Sequence, residues 1–385
     1  MYTMMEHKEN QQRLEAARKI DDQLSLLVEN IDILSSVTPQ NYKEERQRFF
    51  DNRFSIEPSF TYKDQTFDVH QAKRNLYSLP IENIDSVKLR ALYAEVIQSY
   101  ADKLDQLCSI GNAEFLYNSL RYYGEPSSKD IRNANFLLHL PIEEEASQRH
   151  DCHEIAAFMQ QFCQDHGYTG EIEINNSMIA NALVSGTKVK INASASITTK
   201  EMHALAHHEL GVHLLTTLNG RAQPLKLLSL GCPVNTTTQE GLAILCEFLS
   251  GHFSLKRLRT LALRVIAVES MIKDRDFRNT FLLLKEQYKT DDMTAFTITA
   301  RVYRGGGYTK DYLYLRGFRE ILNAYDQLGD DFNLLLAGKT EIRYFSTIKS
   351  LVADGLIQPP KFISPAIAKP APADPIYKFV ANALK

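Results

Sequence analysis

The chain lacks the features that would place it in a membrane, outside the cell or on nucleic acid. No run in its 385 residues approaches the ~18 consecutive apolar positions of a membrane-spanning helix. The first residues, MYTMMEHKENQQRLEAARK, are polar and contain no apolar stretch of the kind a secretory signal requires. Its five cysteines (Cys108, Cys152, Cys163, Cys232, Cys246) are odd in number and irregularly spaced, unlike a disulfide framework. A formal net charge of −3 has the wrong sign for a general nucleic-acid binder. Internal repeats are absent as well. Together these absences predict a cytoplasmic protein with reduced thiols, and neither membrane nor nucleic acid among its partners. What is present is ordinary for a soluble globular protein: 44% hydrophobic and 24% charged residues. The length suits two domains, or one large domain with an extension, around a substantial core.

The stretch Thr198 to Gly220, TTKEMHALAHHELGVHLLTTLNG, organises the rest. Thr198 and Glu201 have the spacing of a capping box at a helix start. Met202, Leu205, Ala206, Leu210, Leu214, Leu215 and Leu218 then recur at helical intervals, and Asn219-Gly220 is a helix stop. Within it lies His208-Glu209-Leu210-Gly211-Val212-His213, an HExxxH pattern one residue longer than the HExxH in which two histidines grip zinc beside a basic Glu. The extra residue matters. On a regular helix, residues four apart diverge by about 40° and residues five apart by about 140°. His208 and His213 therefore converge only if the helix widens locally into a π-turn, a rare feature concentrated at functional sites. Gly211, between them, tolerates irregular backbone best.

Catalytic zinc needs a third protein ligand and an open fourth position. Downstream, Thr236 and Gln239 have capping-box spacing, which leaves Glu240 free in the first turns of a helix running through Gly241-Leu242-Ala243. Glu240 is the candidate third ligand. The competing reading is that these histidines are hydrogen-bonded core residues with no metal.

HHELGVH followed by TQEGLAILCEFLSG resembles the QEGLA-motif family, sometimes labelled flavohemoglobin expression-modulating proteins, which also contains the animal microtubule-associated tyrosine carboxypeptidases. The likeness extends to NYKEERQRFF with PSFTY, FLYNSLRYYGEP, RVYRGGGYTKDYLYLRG, LLLAGK and GLIQPPKF, and so covers most of the chain. It implies that His208, His213 and Glu240 hold one zinc ion per chain and that Glu209 is the catalytic base. The implied reaction is removal of a C-terminal residue, an aromatic one in some members, from a peptide or protein.

Elsewhere the pattern is mostly helical. Residues 6 to about 36 read as one helix ending at Thr38-Pro39, and Val87 to Leu107 and Ala113 to Tyr123 as two more. His150-Asp151-Cys152-His153-Glu154 reads as a polar helix start rather than a metal cluster, because no second histidine follows at four or five. Glu171 to Ile174 is an alternating strand, and residues 182 to 191 form a hairpin leading into the His208 helix. Phe253 to Tyr288 is a long helical stretch with a break near residues 274–276, and its Lys256, Arg257, Arg259 and Arg264 read as a solvated face.

In Arg301-Val-Tyr-Arg304-Gly-Gly-Gly-Tyr308-Thr-Lys310, three glycines sit between cations and aromatics. Composition alone leaves this as either a flexible loop or a place where backbone amides approach a ligand. The resemblance favours the latter. Arg304, Tyr308 and Lys310, with Arg301 as a rival, then become candidates for meeting the substrate carboxylate and its side chain. Glu247 falls seven residues after Glu240 on the same helix face. It either orients a ligand histidine or is an ordinary ion-paired glutamate.

The expected fold is α+β and mainly helical: a zincin-like metallopeptidase domain with a small antiparallel sheet (residues 136–358), a helical N-terminal region (1–135), and a Pro-rich, extended C-terminal tail packed on the body (359–385). The expected activity is a zinc metallocarboxypeptidase. The alternatives are a zinc endopeptidase, or a non-catalytic regulator with a structural zinc.

Overall fold

Helices form first where apolar periodicity and caps agree, and a computed structural model describes residues 2–64, 68–141, 148–176, 178–372 and 374–384, with side chains from Leu14 onward. Most of these residues are helical, with two small sheets between them, so the architecture is the mainly helical α+β one expected. No described helix is long and apolar enough to cross a membrane.

The N-terminal helix, Tyr2–Val28, is shorter than the periodicity implies. Asp32 accepts a hydrogen bond from the Ser35 amide and starts a separate short helix, Ile33–Ser36. An aspartate that can cap competes with continued helix at that point. Helices Val87–Cys108, Glu114–Tyr123 and Ser128–Leu138 follow. Asp151 and Glu154 form a capping box at the start of helix Cys152–His166, which accounts for the polar cluster there.

The strands are β1 (Arg149–His150), β2 (Glu171–Asn175), β3 (Ala182–Ser185), β4 (Lys188–Asn192) and β5 (Ile197–Thr198). β3 and β4 are the expected antiparallel hairpin, turning at Gly186 with φ of 60°. β2, however, pairs with β4 in parallel, so the three-stranded sheet is mixed rather than antiparallel throughout. The short link from β2 brings β3 back in the opposite direction, and the antiparallel β3–β4 hairpin then leaves β4 parallel to β2. β1 and β5 pair antiparallel and deliver Thr198 to the next helix as its cap.

Two buried clusters make the core. One gathers the His208 and Glu240 helices with most of the chain beyond residue 110. The other packs Leu14 to Val28 and Leu89 to Leu104 against Leu225, Leu228, Ile348 and Leu351, tying the N-terminal helices to the C-terminal third. The proline-rich end differs from the extended tail expected. It contains helices Pro365–Ala368 and Pro375–Leu384, and Val380, Ala381 and Leu384 are buried. A proline at the first turn of a helix has no amide to lose, so these prolines start helices rather than prevent them.

Helix Thr236–Leu249 crosses helix Leu313–Leu328 at two glycines. A Cβ on Gly241 would stand 2.4 Å from the Gly317 carbonyl oxygen, and one on Gly317 would stand 2.1 Å from the Thr237 carbonyl oxygen. Those contacts are with backbone, which cannot turn aside. Gly241→Ala should therefore lower unfolding stability by about 1–3 kcal/mol or more, read as a shift of the denaturation midpoint. A midpoint equal to wild type would contradict the close crossing.

Candidate metal centre

The capping box forms as read: the Thr198 amide donates to Glu201 Oε2 at 2.9 Å and the Glu201 amide to Thr198 Oγ1 at 3.2 Å. The helix is regular over Thr199–His208, becomes π-helical over Glu209–Leu214 and is regular again over Leu215–Arg221. The widened turn absorbs the extra residue of HExxxH. It brings the His208 and His213 rings to a centroid separation of 5.0 Å, tilted at 74°. Asn219 does not stop the helix: its side chain donates to the Leu336 and Phe362 carbonyls and accepts from the Phe362 amide.

Glu240 reaches both histidines from helix Thr236–Leu249. Its Oε2 lies 3.5 Å from His208 Nε2 and 3.6 Å from His213 Nε2, and one potential donor atom from each of the three lies within 4.8 Å of the others. The helix start is held differently from the expected Thr236/Gln239 box. Asn235 is the cap residue and makes no side-chain capping bond. Glu341 Oε2 accepts instead from Thr238 Oγ1 at 3.0 Å and from its amide at 3.4 Å, while Gln239 accepts from Thr216 Oγ1 at 2.8 Å. A buried helix start has protein rather than water around it, so partners remote in sequence outbid the local cap. Burial, partly offset by Thr238, pushes the Glu341 carboxyl up to about 7.

Behind His208 stands Glu247. His208 Nδ1 is 2.7 Å from Glu247 Oε1, and Arg257 donates to both Glu247 oxygens, at 3.0 and 2.9 Å. Burial opposes a charge on Glu247, but Arg257 and then His208 outweigh it and hold the carboxyl at about 2. Burial likewise disfavours the His208 cation, yet hydrogen bonding to Glu240 and Glu247 raises the imidazole to about 9. Glu240 stays well below the usual carboxylate range despite burial, because Lys310 and both histidines face it. Glu209 is buried too, and there burial dominates the neighbouring imidazoles and raises its carboxyl.

Lys310 Nζ donates to Glu240 Oε1 at 3.1 Å and lies 3.4 Å from the Tyr314 hydroxyl. Arg301 binds Asp311 through two nitrogens, at 2.6 and 3.0 Å. Arg304 is 4% exposed, with its guanidinium carbon 4.8 Å from the centroid of the Tyr308 ring, and the Tyr308 hydroxyl meets that of Tyr123 at 3.1 Å. Arg264 Nε lies 3.9 Å from Asp311. Two arginines thus face one carboxylate. Arg264 Nε and Arg304 Nε are buried with no hydrogen-bond partner among the described residues.

The loop's glycines are packed, not loose. A Cβ on Gly305 would meet the Phe115 ring at 2.6 Å, and one on Gly306 the Asn112 carbonyl at 2.6 Å. The reading of Arg257, Arg259 and Arg264 as a solvated face is corrected as well. Arg257 holds Glu247, Arg259 donates to the Leu138 and Tyr288 carbonyls, and Arg264 faces Asp311. Sequence reasoning missed Arg257, Arg264, Asp311 and Tyr314. Arg257 and Arg264 do share a helix face seven residues apart, but nothing local reveals what that face meets.

A buried His208 and a half-buried His213 on a widened helix, with Glu240 from a second helix, bring together donor atoms that could hold a metal ion, and Glu209 lies next to them outside that set. The family model described as "Microtubule-associated tyrosine carboxypeptidase" matches residues 47–385, and the chain belongs to that family. It is similar to mouse "Microtubule-associated tyrosine carboxypeptidase 1", with 22% identity over 322 residues, 79% of this chain and 59% of the mouse protein. The chain thus spans less than two thirds of that relative's length.

The Glu247 contact yields a prediction. Glu247→Gln keeps the shape but removes the anion that orients His208, so zinc affinity should fall about 10–100-fold in a competitive chelator titration. Unchanged affinity would reduce Glu247 to an ordinary ion-pair partner of Arg257.

Proposed function

We propose that the protein is a zinc-dependent carboxypeptidase that removes a C-terminal residue, aromatic by analogy with the family's description, from a peptide or protein. The observation that carries this reading is the convergence of His208, His213 and Glu240 beside a glutamate, Glu209, that is not part of the donor set. The donors suit zinc by type, two imidazole nitrogens and one carboxylate oxygen. Their spacing suits it too: tetrahedral ligands at about 2 Å from one ion stand about 3.3 Å apart, against 3.5 and 3.6 Å from Glu240 to the two histidines. When bound, zinc would acidify a water molecule and polarise the scissile carbonyl.

The chain's own groups do the rest. Glu209, its carboxyl raised by burial, takes the proton of the attacking water and later delivers it to the leaving amine. His208 keeps its Nε2 directed at the centre because Glu247 holds Nδ1. Lys310 pairs with Glu240 through Oε1, the oxygen other than the one that faces the two histidines.

Exopeptidase specificity requires positive charge for the terminal carboxylate, the one group an internal peptide bond lacks. Among the described residues Arg264 and Arg301 face Asp311 and Lys310 faces Glu240, and the buried Arg304 adds a fourth cation, a surplus of positive charge. Arg304 Nε is a buried donor with no hydrogen-bond acceptor among the described residues, and Arg264 Nε approaches Asp311 only to 3.9 Å. A planar guanidinium suits a carboxylate best. Arg301 already spends its fork on Asp311, which makes Arg304 the stronger anchor of the two. That surplus favours exo- over endo-cleavage, and a purely structural zinc would have no need of Glu209. A cytoplasmic location is part of the same proposal.

Two experiments test the reading. Glu209→Gln should bind zinc normally while turnover of a tyrosine-ended peptide falls by about 10²–10⁴. Turnover within a few-fold of wild type would remove Glu209 as the base. Peptides with an amidated C-terminus should be poor substrates, and Arg304→Ala should lose most activity on free-acid peptides while keeping zinc. Equal cleavage of both peptide forms at an internal bond would instead establish an endopeptidase.

A further inference from the structure

A cleft of about 560 Å³ opens between the His208 helix and the C-terminal segment. His166, Tyr168, His207, Lys361, Phe362 and Lys369 are in its lining, whereas His208, His213 and Glu240 are not. Its character is aromatic and apolar. Tyr168 and Phe362 meet edge to face at 5.5 Å between centroids, and Pro365, Ala366 and Ala368 continue the wall. Its charge has one sign. Lys361 and Lys369 are exposed at the cleft, Lys361 Nζ standing 5.3 Å from the centroid of the Phe362 ring, and no aspartate or glutamate lines it.

Two polar atoms of lining residues are also unmatched. The hydroxyl of Tyr168, a residue 7% exposed, and Nδ1 of His207 are buried with no partner among the described residues. More than about 90% of buried polar groups are paired in folded proteins, so two orphans beside one cleft are unusual.

We propose that this cleft binds a small aromatic carboxylate at a site separate from the candidate metal centre. The ring lies against Tyr168 and Phe362, and the anion faces Lys361 and Lys369. The apolar wall suits a ring and gives a bare inorganic anion nothing to hold, since ligand pockets are mostly apolar with a few placed polar groups. The lysines supply the charge-assisted hydrogen bonds that a carboxylate accepts.

The probe is 2-naphthoate, whose fluorescence is excited beyond the absorption of tyrosine in a chain that contains no tryptophan. Titration of the full chain should show saturable one-to-one binding. Affinity should drop about tenfold or more for the uncharged 2-naphthamide, and equally for naphthoate with a Lys361→Ala/Lys369→Ala double variant, as expected for lost bonds to a charged group. Both lysines are exposed, so this variant should fold normally, and a thermal melt checks that it does. The affinity should be the same for zinc-loaded and chelator-treated protein. Absence of saturation, equal affinity for acid and amide, or undiminished binding to the lysine variant would overturn the proposal. Loss of binding on chelation would do so too, by assigning the anion to the metal centre.

Discussion

One widened helical turn governs the rest of this molecule. Without the π-turn at Glu209–Leu214, His208 and His213 point in different directions, and Glu240 has only one imidazole to face. A π-turn is intrinsically unfavourable, so surrounding structure must hold it. Gly211 sits inside it with no side chain, leaving room for Ser364, whose Oγ would be 3.3 Å from a Cβ placed there. Ser364 in turn contacts Cys246 Sγ at 3.2 Å, on the same helix as Glu240. The C-terminal segment thus touches both metal-candidate helices from behind, and the paired hydrogen bonds of Asn219 with Phe362 keep it there.

The second constraint is electrostatic. Burying Glu240, Glu247, His208 and Asp311 together would be prohibitive for isolated charges. Here each has an opposite partner: Lys310 for Glu240, Arg257 for Glu247, and Arg301 for Asp311. The pairs are arranged in series, so that Arg257 fixes Glu247 and Glu247 fixes His208. That chain gives the ring a single orientation and explains why arginines on an apparently amphipathic helix turn inward. The arginines left over around Asp311 are the basis of the proposed capture of a substrate carboxylate.

Legibility in the sequence followed the range of the interactions involved. The Thr198–Glu201 box and the β3–β4 hairpin depend on residues a few positions apart, and their patterns predicted them, whereas the HExxxH spacing and Gly211 allowed the π-turn without compelling it. The convergence of His208, His213 and Glu240 came from the chemistry of the motif and from its resemblance to a family, because no local signal joins two helices. Long-range partners were illegible. Glu341 displaced the Thr236–Gln239 box, β2 took a parallel register, and Arg257 and Arg264 found buried carboxylates instead of solvent. Gly241 and Gly317 read as parts of motifs, and only the crossing of their helices reveals that each is required by the backbone of the other.

The central claim is that the widened turn directs His208 and His213 at a single ion together with Glu240. X-ray absorption at the zinc edge, on protein loaded with one equivalent of zinc, tests it directly. The account predicts a first shell of two imidazole nitrogens and carboxylate or water oxygens at ~2.0–2.2 Å, with one imidazole lost in His213→Ala. A sulfur-containing shell, or an imidazole count that His213→Ala leaves unchanged, would contradict it.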